Sequence, residues 1–73
     1  MIRIRLSALL GKRRISQTKL AKDTGISKGT INAYYNEYAE RVSLDHLDTL
    51  CEYFGIELNE LIEHIPNRRV DKY

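Results

Sequence analysis

The chain has 73 residues, a net charge of +2 at pH 7 and a single cysteine. A chain of this length forms one domain at most, lies near the lower limit for a self-sufficient hydrophobic core, and has little room for an internal catalytic cavity. One cysteine excludes an internal disulfide, and no apolar run approaches the roughly 18 residues that span a bilayer. We therefore expect a protein of the reducing cytoplasm with no secretory or membrane segment.

The charge is strongly divided along the chain. Residues 1–36 carry eight basic residues against Asp23, a net charge of +7, and residues 37–66 carry Arg41 against eight acids, a net charge of −7. A dipolar domain over residues 1–66 would turn its basic half toward a polyanion. The alternative is that these bases only solvate exposed helix faces. Residues 67–73, after Pro66, are predicted to form a loose tail.

The first helix is predicted over residues 6–14, where apolar residues recur with helical spacing. Three consecutive basic residues at its end suit the negative end of the helix dipole. Ahead of it, the alternation Ile2-Arg3-Ile4-Arg5 permits either a continuation of the helical pattern or a short strand, and the sequence does not decide between them.

The second and third helices are predicted over residues 17–24 and 28–37. Ser16 and Ser27 are suited to cap their N-termini, and Gly25 can take the left-handed conformation that ends the second helix. The inner faces of the two helices and the turn between them are predicted to contain Leu20, Ala21, Ile26, Ile31 and Tyr34.

The rest of the chain predicts a loop over residues 39–42 and two more helices. Ser43 begins the fourth helix and Gly55 ends it, and its apolar face is predicted to contain Leu44, Leu47, Leu50, Cys51 and Phe54. The fifth helix is predicted over residues 58–65, before Pro66. The sequence thus favours an all-α, compact five-helix domain over residues 1–66.

The segment SQTKLAKDTGISKGTINAYY, residues 16–35, resembles the helix-turn-helix of phage-repressor-type transcriptional regulators, the Cro-like or XRE family. The matching residues are Gln17, Leu20, Ala21, Gly25, Ile26, Ser27, Ile31 and Tyr34. SLDHLDTLCEYFGIELNELI resembles the fourth and fifth helices of the lambda-repressor-like fold, so that the likeness covers nearly all of residues 5–65. The resemblance implies a sequence-specific regulator of double-stranded DNA, a repressor, with a helix-turn-helix formed by the second and third helices.

The third helix is then expected to enter the major groove, which is wide enough for one helix. With Ile31 and Tyr34 on the core, spacing puts the base-contacting candidates on its outer edge: Lys28, Gly29, Asn32 and Ala33. Lys28 can donate to guanine, Asn32 can pair bidentately with adenine, and the two small residues permit close approach. The alternative for Lys28 and Asn32 is an ordinary solvated helix surface.

Contacts to phosphates are expected from both helix N-termini and from the loop after the third helix. The candidates are Ser16, Gln17, Thr18, Ser27, Thr30, Asn36 and Arg41. The resemblance implies that Gln17 binds phosphate and braces the recognition helix. The loop departs from the basic or polar contacts of the family, because Glu37 and Glu40 would repel a phosphate and leave Arg41 as its only expected contact.

Other functions find weaker support in the sequence. His46, Cys51 and His64 match no zinc spacing, and no phosphate loop, carboxylate pair or nucleophile elbow is present, so we expect no enzyme activity, metal, cofactor or small-molecule substrate.

One helix reads only a few base pairs, so a homodimer is expected at least on DNA, paired through the fifth helix and the tail. The alternative is a protein-interaction module, an antitoxin-like or adaptor subunit that uses the same surface.

Overall fold

A computed structural model describes residues 1–66 of the protein. In chain order its elements are β1 (Ile2–Ile4), α1 (Leu6–Arg13), α2 (Gln17–Thr24), α3 (Lys28–Tyr35), α4 (Leu44–Phe54), α5 (Leu58–Leu61) and β2 (Ile62–His64). The five predicted helices and the compact helical fold are confirmed. The predicted tail, residues 67–73, lies outside the described residues. No helix among residues 1–66 is long and apolar enough to cross a membrane.

The predicted helix caps form as the sequence indicates. The Ser16 hydroxyl accepts a hydrogen bond from the Lys19 amide at 3.0 Å, and the Ser27 hydroxyl accepts one from the Thr30 amide at 3.2 Å. Each bond satisfies a backbone donor that the first turn of a helix leaves free. Gly25, with a φ of +80°, ends α2 in the left-handed conformation that favours glycine.

The prediction for the end of the fold is wrong beyond Leu61. α5 has only four residues, and residues 62–64 form β2, which pairs antiparallel with β1 in the register Ile2↔His64, Arg3↔Glu63 and Ile4↔Ile62. A single isolated turn of helix is marginal, whereas the strand gains long-range backbone hydrogen bonds. Just beyond the paired strands, a further backbone hydrogen bond joins the Arg5 amide to the Leu61 carbonyl at 2.7 Å. The open choice at residues 2–5 is therefore resolved in favour of a strand.

The other differences are small. α1 ends one residue early because Arg14 turns into the left-handed region, with a φ of +56°. α3 ends at Tyr35 instead of residue 37. Leu44, predicted on the apolar face of α4, is 80% exposed because it occupies the first position of the helix, beyond the core. The other residues predicted to be buried divide into two groups: Ala21 and Cys51 are half-buried against the core, and the rest are buried, namely Leu20, Ile26, Ile31, Tyr34, Leu47, Leu50 and Phe54.

Candidate nucleic-acid interface

The turn between α2 and α3 is fixed by one buried side chain and one threonine. Ile26 is buried between the helices. The Thr24 hydroxyl donates to the Leu20 carbonyl at 2.7 Å and accepts from the Ile26 amide at 3.2 Å. The side chain thus satisfies backbone groups at the end of α2 and in the turn, which fixes the direction in which α3 leaves.

The inner edge of α3 is anchored by Ile31 and Tyr34. Ile31 is fully buried, and the Tyr34 hydroxyl lies 2.8 Å from Nδ1 of His46 in α4. The same hydroxyl accepts a hydrogen bond from the Ser43 amide at 3.4 Å, and the Tyr34 and His46 rings meet edge to face. Sequence reasoning placed Tyr34 in the core but missed His46 as its polar partner, because no local pattern joins the two residues.

The outer edge of α3 faces solvent. Lys28, Gly29 and Asn32 are exposed, while Thr30 and Ala33 are half-buried at its margins. A Cβ added at Gly29 would meet no atom within 4 Å, so packing within residues 1–66 does not require a glycine there. Asn36 is exposed after the end of α3, and its side-chain Nδ2 donates to the backbone carbonyl of Asn32 at 3.1 Å.

A hydrogen bond between side chains joins the start of α2 to the outer edge of α3. Nδ2 of Asn32 donates to Oε1 of Gln17 at 3.3 Å. An asparagine amide has two N–H donors and one carbonyl acceptor. The bond to Gln17 uses one of these donors, so the Asn32 side chain retains one N–H and its carbonyl oxygen Oδ1. The N–H can donate to adenine N7, and Oδ1 can accept from adenine N6.

The N-terminus of α2 borders an open depression of about 410 Å³. It is lined by Leu10, Gly11, Arg14, Ile15, Ser16, Gln17 and Tyr35. Helix N-termini attract anions through their free amides and the positive end of the dipole, and the exposed Arg14 adds a cation at the same place. Thr18, the next residue of α2, is exposed but does not line the depression. Two of the predicted phosphate contacts, Ser16 and Gln17, therefore lie together at the depression.

Residues 5–67 match the model of the Cro/C1-type helix-turn-helix DNA-binding domain. The chain belongs to this family. Among solved structures, it is similar to a crystal structure of a candidate DNA-binding protein from Bacteroides fragilis, with 25% sequence identity and a TM-score of 0.75. That alignment covers 86% of this chain and 100% of the other. A comparison with curated proteins finds no match.

Three of the eight bases in the positive half of this Cro/C1-type domain are engaged in ion pairs. Arg3 pairs with Glu37 at 2.9 Å, Arg5 with Glu63 at 2.7 Å and Lys19 with Asp23 at 3.0 Å. Within residues 1–66, the remaining five bases of this half form no ion pair: Lys12, Arg13, Arg14, Lys22 and Lys28. The charge available to a polyanion is therefore smaller than the sequence count indicates.

Asp23 and Tyr53 extend one of these pairs into a link between α2 and α4. The Tyr53 hydroxyl donates to the Asp23 carboxylate at 2.7 Å. This hydrogen bond, followed by the one from Lys19, lowers the pKa of Asp23 below its ordinary value. The Lys19 ammonium is thus occupied within the Cro/C1-type domain.

Glu37 has a structural role that the sequence did not predict. It follows α3 closely in the left-handed conformation, with a φ of +59°. Its carboxylate accepts hydrogen bonds from Nε and Nη2 of Arg3 at 2.9 and 3.1 Å and from the Ile4 amide at 3.1 Å. The hydrogen bond from Arg3, followed by that from Ile4, lowers the pKa of Glu37. Glu37 therefore ties the C-terminal end of α3 to β1.

Arg41, a predicted phosphate contact, and the tyrosines Tyr35 and Tyr38 lie in different parts of the Cro/C1-type domain. Arg41 is exposed in the loop before α4 and forms no ion pair within residues 1–66. Tyr35 lines the depression at the start of α2, whereas Tyr38 is exposed. Within the described part of the chain, no group of three or more His, Cys, Asp or Glu side chains could hold a metal ion.

Proposed function

We propose that the protein is a sequence-specific transcriptional regulator that binds double-stranded DNA with α3 in the major groove. The observation that carries this proposal is the outer edge of α3, where Gln17 orients Asn32 and leaves one donor and one acceptor of its amide free. Membership of the Cro/C1-type family supports DNA as the partner. Such a protein acts where the DNA lies, in the cytoplasm, and needs neither catalysis nor a cofactor.

The proposed base contacts follow from the exposed groups of α3. Lys28 donates to guanine O6 and N7, and Asn32 pairs with adenine N6 and N7. Gly29 has open space around its Cα, and Ala33 presents only a methyl group, so both allow the helix backbone to approach the base edges. The Ala33 methyl can also contact the methyl group of a thymine.

The proposed backbone contacts fix the position of α3 along the duplex. Ser16, Gln17 and Thr18 bind one phosphate at the start of α2, where Arg14 strengthens the attraction. After its bond to Asn32, the Gln17 amide still has both N–H donors for a phosphate. The other proposed backbone contacts are Ser27, Thr30, Asn36 and Arg41. These contacts supply affinity but no sequence information.

Two copies are proposed to bind half-sites about one helical turn apart, since one helix reads too few base pairs to single out a site. Repression is the proposed outcome, because occupancy of an operator is sufficient for it. A reporter gene is placed downstream of the sequence that the protein prefers when it selects from a random duplex library. Its expression should fall when the protein is supplied, and a rise in expression would contradict repression.

The adaptor alternative receives less support from the structure. It requires an apolar surface on the fifth helix, but Leu61 is fully buried and Ile62 is half-buried, which leaves Leu58 as the exposed leucine of α5. Those apolar residues mainly complete the core of the same chain. The rest of the predicted surface, residues 67–73, lies outside the described residues.

The test is binding to duplex DNA across a range of salt concentrations. Neutralising three to five phosphates per copy gives a slope of roughly −3 to −5 in log affinity against log salt concentration. Between about 50 and 200 mM salt, affinity for a random duplex should then fall by roughly 60- to 1,000-fold. Selection from a random duplex library at the lower salt concentration should yield a preferred sequence. Absence of binding, or affinity independent of salt, contradicts the proposal.

A further inference from the structure

The exposed apolar side chains of this protein are concentrated in two segments. Six large apolar side chains are exposed among residues 1–66, and only Leu58 belongs to α5. The other five lie at the N-terminus or between α3 and the first residue of α4: Met1, Ile2, Tyr38, Val42 and Leu44. Apolar exposure concentrated in this way marks an interaction surface more often than scattered single residues do.

One exposed side chain from each segment, Ile2 and Val42, lines a groove of about 230 Å³, which we call the ribbon groove, whereas Met1, Tyr38 and Leu44 lie outside its lining. Its walls are the apolar side chains of β1, β2 and the loop: Ile2, Ile4, Ala39, Val42 and Ile62. Glu37, Glu40 and Arg41 also line it. Ile2 is 60% exposed and Val42 37% exposed, so part of the apolar wall is open to solvent.

The chemistry of the ribbon groove favours a protein over DNA. The walls are apolar and the rim has no net positive charge, because Glu40 balances Arg41 and Glu37 is paired with Arg3, so a phosphate gains little there. At Ile4 the partner docks through side chains, because Glu37 already accepts the hydrogen bond of the Ile4 amide. An added strand would need that donor, so the carboxylate protects this edge of β1 at Ile4 against strand addition.

We propose that the ribbon groove is the surface through which two copies of this chain pair. Glu40 and Arg41 are adjacent and exposed, and neither forms an ion pair within residues 1–66. A two-fold axis through the groove sets Glu40 of each copy against Arg41 of the other, which makes the charged rim complementary to itself. This proposal rests on the proposed function in one respect: it assumes that two copies bind neighbouring half-sites on DNA.

The groove also has a suitable place in the fold. The loop begins directly after α3, and Glu37 fixes the end of that helix to β1. Pairing through the groove therefore sets the recognition helices of two copies in a defined relation, as paired half-sites require. In the pair, Arg41 faces a carboxylate of the second copy instead of a phosphate, so these two proposed contacts of Arg41 are alternatives.

The pair is expected to be weak in solution. Of the five apolar wall residues only Ile2 and Val42 are exposed, so the apolar area available to a partner is smaller than the roughly 800 Å² per partner of a standard interface. Dissociation in the range of about 10 μM to 1 mM is consistent with such a patch. Two half-sites on one duplex raise the effective concentration and complete the pair on DNA.

The first test measures the mass of the full chain by sedimentation equilibrium without DNA, up to about 1 mM protein. Ile2→Ser and Val42→Ser should each weaken pairing by about tenfold, the effect of removing one interfacial contact of intermediate strength. Leu58→Ser is the matched control, since it removes an exposed apolar side chain outside the groove and should leave pairing unchanged. Circular dichroism verifies that each variant is folded.

The second test exchanges the charges on the rim. Glu40→Arg alone should weaken pairing, and the double variant Glu40→Arg/Arg41→Glu should restore it. The double variant should not pair with the wild-type chain, because that mixture opposes like charges at both contacts. Sedimentation without DNA measures this pairing, so loss of the proposed phosphate contact of Arg41 does not enter the result.

Two results would overturn the proposed surface. One is a wild-type chain that stays monomeric at about 1 mM and occupies paired half-sites without cooperativity. The other is pairing that responds to Leu58→Ser but not to Ile2→Ser or Val42→Ser. Failure of the DNA proposal is recognised separately, because binding to a duplex with one half-site tests α3 without pairing, whereas sedimentation tests pairing without DNA.

Discussion

Replacement of Asn32 by alanine tests the position of α3 most directly. The Asn32 side chain is exposed, and its bond to Gln17 is a neutral one of 3.3 Å, so the variant should retain its stability within about 0.5 kcal/mol. On the preferred duplex it loses a bidentate pair with adenine, worth about 1–3 kcal/mol. Affinity should fall by roughly 5- to 150-fold on that duplex, with relaxed choice at one base pair and little change on unrelated DNA.

Gln17→Ala should have two effects that the structure separates. Loss of the phosphate contact weakens binding to every duplex by a similar factor. Loss of the hydrogen bond also frees the Asn32 side chain, and fixing a side chain on binding costs about 0.5–1.5 kcal/mol. That second penalty applies only to the preferred duplex, where it lowers affinity by a further factor of roughly 2 to 13.

A double-mutant cycle isolates this second effect. In Gln17→Ala/Asn32→Ala the penalty for ordering Asn32 vanishes, so the two substitutions should be coupled by about 0.5–1.5 kcal/mol on the preferred duplex. Thr18→Ala is the matched control, because Thr18 lies next to Gln17 but makes no hydrogen bond to Asn32. Fluorescence anisotropy with preferred and unrelated duplexes supplies all the affinities. Unchanged sequence preference in Asn32→Ala would refute the placement of α3, and additive effects would refute the role of Gln17 as a brace.

The remaining predictions concern stability, measured by urea denaturation. Leu50→Ala should destabilise by about 2–5 kcal/mol, because the fully buried side chain leaves a cavity, whereas Leu44→Ser at an exposed position should change stability by no more than about 0.5 kcal/mol. Ser16→Ala removes the cap of α2 and should cost about 1 kcal/mol. Because the pKa of Glu37 is lowered in the folded protein, its ionised carboxylate contributes stability at pH values above the ordinary pKa of 4.5. That stability is lost as the pH falls through the lower pKa of the folded state. The wild type should therefore lose more stability than Glu37→Gln on acidification from about pH 5 to pH 3, and equal losses would contradict the role of the ion pair.

The parts of the fold that the sequence predicted are those that local chemistry decides. Caps such as Ser16 and stops such as Gly25 act within a few residues of their own helix, so their signals are readable along the chain. β2 lacks such a signal. Leu61 and Ile62 are compatible with helix or strand, and the strand is selected by pairing with β1, about 60 residues earlier in the chain. Exposure of Leu44 was also unreadable, because apolar periodicity does not show where the core ends.

The candidate site shows the same division between local and distant causes. The exposed edge of α3 could be predicted from the spacing of Ile31 and Tyr34, which fixes the buried side of the helix. Glu37 could not be interpreted in this way. Its charge alone indicated repulsion from DNA, but its carboxylate is directed to Arg3 and Ile4 by a left-handed turn that a glutamate rarely adopts.

The contacts of α3 explain how a domain with a small core can hold a recognition helix in a defined position. Gln17 holds its outer edge, the hydrogen-bonded Tyr34–His46 pair holds its inner edge, and Glu37 ties its end to β1. Each polar contact is modest by itself, but the three restrain different parts of one short helix. In a helix restrained in this way, the Asn32 side chain loses little conformational entropy on binding. More of the binding free energy is then available to discriminate one base from another. The rigidity on which reading depends therefore comes from α2, α4 and β1, and not from α3 alone.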